Sequence, residues 1–194
     1  MVEQSKSRSV VMEGADVERA LADMADRIAQ VHKTDLSQVA FVGIRTRGVY
    51  LAQRLAGIIE RTTGTAPACA SMDVTLYRDD VAATFPPMTA EPTWLEFDVT
   101  NAVIVLVDDV LFRGRTIRAA LDQIVDFGRP AKIELAVLID RGHRELPIQP
   151  DYVGLCIETD VEHSVKVSLT EQDGVDMVEI LDSATATRGS DSDK

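Results

Sequence analysis

From Ala102 to Val107 the chain is uniformly apolar, and it then meets two consecutive carboxylates, Asp108-Asp109. A short run with no polar alternation is the pattern of a strand covered on both faces, which points to a parallel sheet flanked by helices. Beyond a turn, Gly114-Arg115-Thr116 opens a helical face made of Ile117, Ala120, Leu121, Ile124 and Val125, and Gly128 and Pro130 close it. Apolar strand, polar turn, amphipathic helix is the unit from which an α/β sheet is wound.

The same unit recurs. Val39 to Ile44 reads as a buried strand that ends at Arg45-Thr46-Arg47-Gly48 and leads into a helix over roughly Val49 to Arg61. Ile133 to Ile139 is another apolar strand, ending at Asp140-Arg141-Gly142-His143-Arg144. Ahead of these, Asp16 reads as an N-cap for a helix whose stripe is Val17, Leu21, Met24, Ile28 and Val31. Met72, Val74 and Leu76 alternate with polar neighbours as a further strand, and Tyr152–Ile157, Val165–Leu169 and Met177–Leu181 as shorter ones. Asp173-Gly174 reads as the hairpin turn between the last two. The expected organisation is one α/β domain over 1–182, with a mainly parallel central sheet and a C-terminal β-hairpin. Residues 183–194 are small and polar and read as a disordered tail. The stretch of about 78–98 holds Asp79, Asp80, Pro86, Pro87 and Pro92, and is too long and irregular for an ordinary connection. Tyr77 and Trp94 near its ends suggest that it folds over something.

Ligands of open α/β sheets bind outside the carboxyl ends of the strands. The three polar turns therefore converge on one edge. A helix N-terminus offers unpaired N–H groups and a partial positive charge to a phosphate. Gly114 permits close backbone approach, and Thr116 adds a hydroxyl. Asp108 and Asp109 can hold sugar hydroxyls, a Mg²⁺-linked water shell, or both. An Asp pair after a strand is also a common helix cap with a solvated neighbour; the adjoining Gly114-Arg115-Thr116 favours a site for a sugar phosphate.

Charge bears on the partner. The chain has 20 Lys plus Arg against 32 Asp plus Glu, a net −12, which disfavours binding of nucleic acid or membrane by the whole surface. Residues 145–194 alone contribute −9, so the strand-end turns lie in a nearly balanced segment. No apolar run reaches the ~20 residues of a membrane span. The polar start, Met1 to Ser9, lacks the apolar core of a signal peptide. Cys69 and Cys156 match no metal or redox spacing and read as two buried free thiols of a cytoplasmic protein. His32 and His163 stand alone and read as structural or solvated.

The segment Ile104-Val105-Leu106-Val107-Asp108-Asp109-Val110-Leu111-Phe112-Arg113-Gly114-Arg115-Thr116 closely resembles the thirteen-residue motif by which type I phosphoribosyltransferases bind 5-phosphoribosyl 1-pyrophosphate (PRPP). Three further segments, Val42 to Gly48, Asp73 to Asp80 and Asp140 to Ile148, resemble those of one member family, PyrR. These are bifunctional pyrimidine operon attenuation regulators and uracil phosphoribosyltransferases. The likeness runs in order from about Asp16 to Leu181.

This resemblance implies a type I phosphoribosyltransferase fold with a flexible hood over about 78–98, and a division of labour. Asp108 and Asp109 bind the ribose hydroxyls, with Mg²⁺ bridging substrate oxygens. Val110, Leu111, Phe112, Arg113, Gly114, Arg115 and Thr116 form the 5′-phosphate loop. Arg45, Thr46 and Arg47 form the pyrophosphate loop, and Arg78 reaches pyrophosphate as the hood closes. Ile139, Asp140 and Arg141 line the uracil pocket, partly through backbone groups. The reaction is uracil plus PRPP giving UMP and pyrophosphate; a carboxylate of the pair either assists uracil deprotonation or sits under the positive ribose. Arg113 stands where the family usually has Thr.

The regulatory half of the family binds pyrimidine operon leader RNA in response to UMP, as a homodimer or higher homo-oligomer. Its candidate residues here are Arg19, Arg27, His143 and Arg144, although Glu18, Asp23 and Asp26 dilute any basic patch on the first helix. The alternatives are a regulator of this fold with little catalysis, and a phosphoribosyltransferase for another base. A phosphoacceptor receiver domain fits poorly, because its Asp pair belongs near the first strand.

Overall fold

The apolar runs find one another. The computed structural model describes residues 8–75, 93 and 95–182. The hood with Arg78, Tyr77 and Trp94, apart from residues 93 and 95–98, lies outside the described residues, and so does the tail 183–194.

Strand β1 (Arg8–Glu13) runs directly into helix α1 (Gly14–Val31). There follow β2 (Val39–Ile44), α2 (Arg47–Thr63), β3 (Ala68–Met72), β4 (Val103–Leu111), α3 (Arg115–Phe127), β5 (Lys132–Asp140), β6 (Tyr152–Cys156), β7 (Ser164–Ser168), the short α4 (Thr170–Asp173) and β8 (Met177–Leu181). Five of the strands form one parallel sheet in the order β3-β2-β4-β5-β6. The other three form an antiparallel sheet, β1-β8-β7.

Alternation along the central strands sorts the core into two layers. Phe41, Val105, Val107 and Leu138 pack with α1 and α2, whereas Val42, Ile104, Leu106 and Val137 pack with α3. Val167 and Val178 of the small sheet, with Leu169 just past β7, join the first layer, so that sheet rests on the α1–α2 side. β2 is buried at every residue, as its unbroken apolar run requires.

Several expectations are corrected. Asp16 is the third residue of α1, not its cap. Glu13 is the N-cap, and the two form a reciprocal capping box in which Asp16 accepts the Glu13 N–H at 2.9 Å. β1, unrecognised in the polar start, delivers the chain straight into the helix. Val31 and Val125 end their stripes in solvent, 60% and 59% exposed. β4 does not stop at Asp108-Asp109 but continues through both to Leu111, in register with β5 up to Asp140. Of the strand read around Met72, Val74 and Leu76, Leu76 lies outside the described residues; β3 is Ala68–Met72, and Asp73 accepts the Thr75 N–H at 2.9 Å in a local turn. β7 and β8 pair as the expected hairpin, but α4 replaces a tight turn, with Gly174 at φ 73° closing it. Cys69 and Cys156 are free thiols but exposed rather than buried, since β3 and β6 are the edge strands.

Candidate active site

All five strands of the central sheet point the same way, so the turns after β2, β4 and β5 meet at its carboxyl edge. Backbone hydrogen bonds stitch these turns together. The Arg45 N–H donates to the Met72 carbonyl (2.9 Å), the Arg141 N–H to Leu111 (3.1 Å), and the Glu145 N–H to Arg113 (3.1 Å).

The turn after β2 carries Arg45 and Thr46, both exposed, and Arg47, which begins α2. The Arg45–Thr46 peptide bond is cis. Gly48 holds this turn against β4: a Cβ on it would lie 2.4 Å from the Val107 carbonyl oxygen. The start of α2 can therefore rest on backbone beside the Asp pair.

At the end of β4, Asp108 is 7% exposed and accepts the Asp109 N–H at 3.0 Å. Burial pushes the Asp109 carboxyl above its ordinary range; the Arg47 guanidinium, and the Val110 N–H at 2.9 Å, oppose this without overcoming it. Beyond the pair a cavity of about 270 Å³ opens, lined by Asp108, Phe112, Arg113, Gly114, Arg115 and Thr116 among others. Its floor is the N-terminus of α3. Gly114 takes φ 90° there, a left-handed conformation that a side chain would strain, and a Cβ would also press on Ile148 at 3.3 Å. A phosphate in this cavity meets helix N–H groups and two guanidinium-bearing side chains.

Both of those arginines are bridged by one carboxylate. Glu145 lies 3.2 Å from Arg113 and 2.7 Å from Arg115. Arg113, the departure from the usual Thr, also stacks over Phe112 at 5.1 Å.

At the end of β5, Ile139 is buried, and the Asp140 carboxylate is engaged internally, by the Gly142 N–H (2.9 Å) and Arg144 (2.7 Å). Arg141 is 5% exposed, stacks on Phe112 at 4.1 Å and donates to the Asp160 carbonyl at 2.9 Å. Burial, with Arg113 nearby, draws its pKa down from the usual guanidinium range. Its Nε is buried without a hydrogen-bond partner among the described residues.

The edge thus gathers Arg45, Thr46, Arg47, Asp108, Asp109, the loop 110–116, Ile139, Asp140 and Arg141. The four residues considered for RNA are spread out and engaged. Arg19 pairs with Asp16, and Arg27 donates to the Val153 carbonyl (2.6 Å). His143 meets the Thr159 carbonyl (2.6 Å), and Arg144 holds Asp140 together with the carbonyls of Phe112 and Ile148 (both 3.0 Å). Arg144 is thus a brace of the site's loops. Sequence reasoning gave no separate role to Glu145 or to Asp173, which accepts two hydrogen bonds from Arg47 (3.1 and 3.2 Å). Nothing local in the sequence marks either contact, because each partner is distant along the chain.

Mg²⁺ is a hard cation that takes one or two carboxylates and otherwise substrate oxygens and water. Asp108, which lines the cavity, and its chain neighbour Asp109 fit that donor set by type; no group of three or more His, Cys, Asp or Glu that could cage a metal occurs among the described residues. Nor is any helix among them long and apolar enough to cross a membrane.

The phosphoribosyl transferase domain family matches residues 15–172. The "Bifunctional protein PyrR" of Chloroflexus aurantiacus is 50% identical over 171 residues, covering 88% of this chain and 93% of that protein. The protein of that name from Streptomyces coelicolor is 47% identical over 177 residues, covering 91% of each. Among solved structures, a hypoxanthine phosphoribosyltransferase of Trypanosoma cruzi superposes with a TM-score of 0.72 at 13% identity, over 96% of this chain and 97% of that one. One from Staphylococcus aureus gives 0.66 at 15% identity, over 88% and 90%. At such identity the likeness carries the fold alone, and the fold is that of the type I phosphoribosyltransferases. Residue for residue over most of its length, the chain belongs to the PyrR family.

Proposed function

We propose that the chain transfers the phosphoribosyl group of PRPP to uracil, giving UMP and pyrophosphate, and that it also regulates pyrimidine operons as a UMP-responsive RNA-binding protein. The observation that carries the catalytic reading is the meeting of three turns at one sheet edge: arginines after β2, carboxylates and a helix N-terminus after β4, and the Asp140–Arg144 turn after β5.

Each turn has one task. The N–H groups at the start of α3, with Thr116, hold the 5′-phosphate in the cavity beside Arg113 and Arg115. Asp108 and Asp109 take the ribose hydroxyls. Arg45 and Arg47 hold the pyrophosphate, and electrostatic stabilisation of charge growing on that leaving group is the largest lever such a site has. Arg78 is assigned to pyrophosphate through the family resemblance alone. The Asp140 side chain is already satisfied by Gly142 and Arg144, so uracil's alternating N–H and C=O edge is met by backbone groups around Ile139–Arg141. As the C–O bond to pyrophosphate breaks, uracil nitrogen bonds to the anomeric carbon, and its proton passes to a carboxylate of the Asp pair or to the departing pyrophosphate. Asp108 and Asp109 would hold a Mg²⁺ ion, which would supply neutralisation of phosphate charge.

The test is to incubate the full chain with PRPP, Mg²⁺ and each of uracil, hypoxanthine and guanine, and to assay nucleotide and pyrophosphate. UMP and pyrophosphate in equal amounts are expected. A purine nucleotide in place of UMP overturns the uracil assignment.

The regulatory reading rests on close relatives that are named bifunctional. It places the protein in the cytoplasm as a homodimer or higher homo-oligomer. A gel-shift titration with pyrimidine leader RNA, with and without UMP, should show binding that UMP strengthens; none at low salt removes this half of the proposal.

A further inference from the structure

Two arginines of α2 reach into the loop that joins β7 to β8. Arg47, the first residue of the helix, donates from Nη2 to both Asp173 carboxylate oxygens, at 3.1 and 3.2 Å. Two turns later, Arg54 donates to Asp176 (2.6 and 2.9 Å) and to Glu171 (2.6 and 2.8 Å). The loop is shaped to present these carboxylates. Asp173 accepts the Leu169 N–H at 2.9 Å, and Asp176 accepts the Thr170 N–H at 2.7 Å and its hydroxyl at 2.8 Å. Arg54, Glu171 and Asp176 lie well away from the carboxyl edge of the sheet and make a plain structural clamp. Arg47 is different, because it belongs to the pyrophosphate turn. Its Nη2 is committed to Asp173, while its Nε is buried without a partner among the described residues.

A free arginine side chain loses rotamer entropy when it is ordered. A carboxylate that fixes one nitrogen in advance removes part of that cost from ligand binding, and the Arg47 charge stays near enough to Asp109 to favour its carboxylate. We propose that Asp173 is a positioning residue for the phosphoribosyl transfer: through its bond to Arg47 it holds the pyrophosphate turn in its binding geometry and couples the C-terminal hairpin to that turn. The inference rests on the assignment of Arg47 to pyrophosphate, and not on which base is used. Asp173 acts through Arg47 and touches no reacting atom.

The test is a calorimetric titration of the full-length protein with magnesium pyrophosphate, comparing wild type, Asp173→Asn and Asp173→Glu. Thermal melting and a uracil-dependent assay accompany it. Asp173→Asn keeps an oxygen for the Leu169 N–H but loses the charge that holds Arg47. Its pyrophosphate Kd and its KM for PRPP should rise on the order of tenfold, the scale of one charge-assisted hydrogen bond, with the KM for uracil within about twofold. Asp173→Glu should recover most of the affinity. An unchanged pyrophosphate Kd, or equal weakening of pyrophosphate and uracil with a lowered melting temperature, overturns the proposal in favour of a merely structural contact. Failure of the wild type to make UMP while it binds pyrophosphate, with Asp173→Asn weakening that binding, sinks the uracil reading and leaves this one standing. Wild type that binds no pyrophosphate sinks both.

Discussion

Arg115, the first residue of α3, shares Glu145 with Arg113: one carboxylate from the turn after β5 lies between two guanidinium groups at the mouth of the phosphate cavity. The pair of cations is thus half neutralised before any ligand arrives. Arg113 is half exposed and already engaged by Glu145, so under the proposed function its effect on the 5′-phosphate is through space. Arg113→Thr should raise the KM for PRPP about two- to threefold, the scale of a screened ion pair. A rise beyond tenfold in steady-state kinetics would mark Arg113 as a direct phosphate contact.

Asp109 should show a trade between stability and activity. Its folded pKa lies above the ordinary carboxylate value, because burial outweighs the help from Arg47. A raised acid binds its proton more tightly when folded, so stability is greatest below the unfolded value of 3.8 and is lost as pH rises through the folded value. Asp109→Asn should therefore melt higher at pH 7 by a few degrees, about 1 kcal/mol in a domain of this size, while UMP formation falls by at least about a hundredfold. Equal melting temperatures at pH 7 would refute the first half.

At the opposite end of the sheet, Glu134 is 1% exposed and meets His32 and Tyr152, both at 2.8 Å, and Lys132 at 2.5 Å. Burial drives its carboxyl upward, but Lys132, His32 and Tyr152 together hold it below its ordinary value. The sign is opposite to that of Asp109. The contribution is present above the unfolded value of 4.5 and is lost as pH falls through the folded one. Glu134→Gln should cost about 2–3 kcal/mol in urea unfolding at neutral pH, and the gap to wild type should narrow below about pH 4. Activity of the folded variant should be preserved, since no residue of this cluster lies at the carboxyl edge.

Asp176 tests the clamp on α2. Arg54 holds its carboxyl down to about 2. The stabilisation is therefore full above the unfolded value of 3.8 and is lost toward pH 2. Asp176→Asn should lower unfolding free energy by about 2 kcal/mol at pH 7, and chemical denaturation at pH 7 and pH 2.5 should show that difference shrinking.

Gly48→Ala should damage the site through the backbone. The new Cβ would sit 2.4 Å from the Val107 carbonyl oxygen, so either α2 or β4 must move. Overpacking of this kind costs about 1–3 kcal/mol. Because the strain falls between the pyrophosphate turn and the Asp pair, catalysis should drop by more than the loss of folded protein measured by circular dichroism.

What the sequence made legible was whatever is local and periodic. Val39–Ile44 is a strand at the bounds its apolar run suggests, and α3 ends at Gly128 as its breaker implies. That three polar turns meet at one sheet edge was legible because each is written contiguously after an apolar strand. What escaped depended on partners far away in the chain. β1 is polar at its start and exists because β8 is there to pair with it. Asp173 read as turn chemistry, which it also is, but its contact with Arg47 spans most of the chain. Asp16 misled because Asp is a favoured cap residue and Glu is not, yet the helix begins directly after β1 with Glu13 at the cap and Asp16 at its third position. Cys69 and Cys156 were assigned to the core from residue type, whereas sheet order puts them on the edges.

The pairing of Arg8 with Leu181 joins the first described strand to the last. On a ribosome, residue 8 emerges roughly 10–30 s before residue 181 at about 5–20 residues per second. Through that interval β1 has no neighbour: in the finished sheet β8 lies between it and β7. The parallel sheet and its arginine turns can assemble during synthesis, but α1 is anchored by its leading strand only after the chain is nearly complete. A nascent chain stalled before residue 177 should then be sensitive to protease at its N-terminal end while its central sheet is already protected.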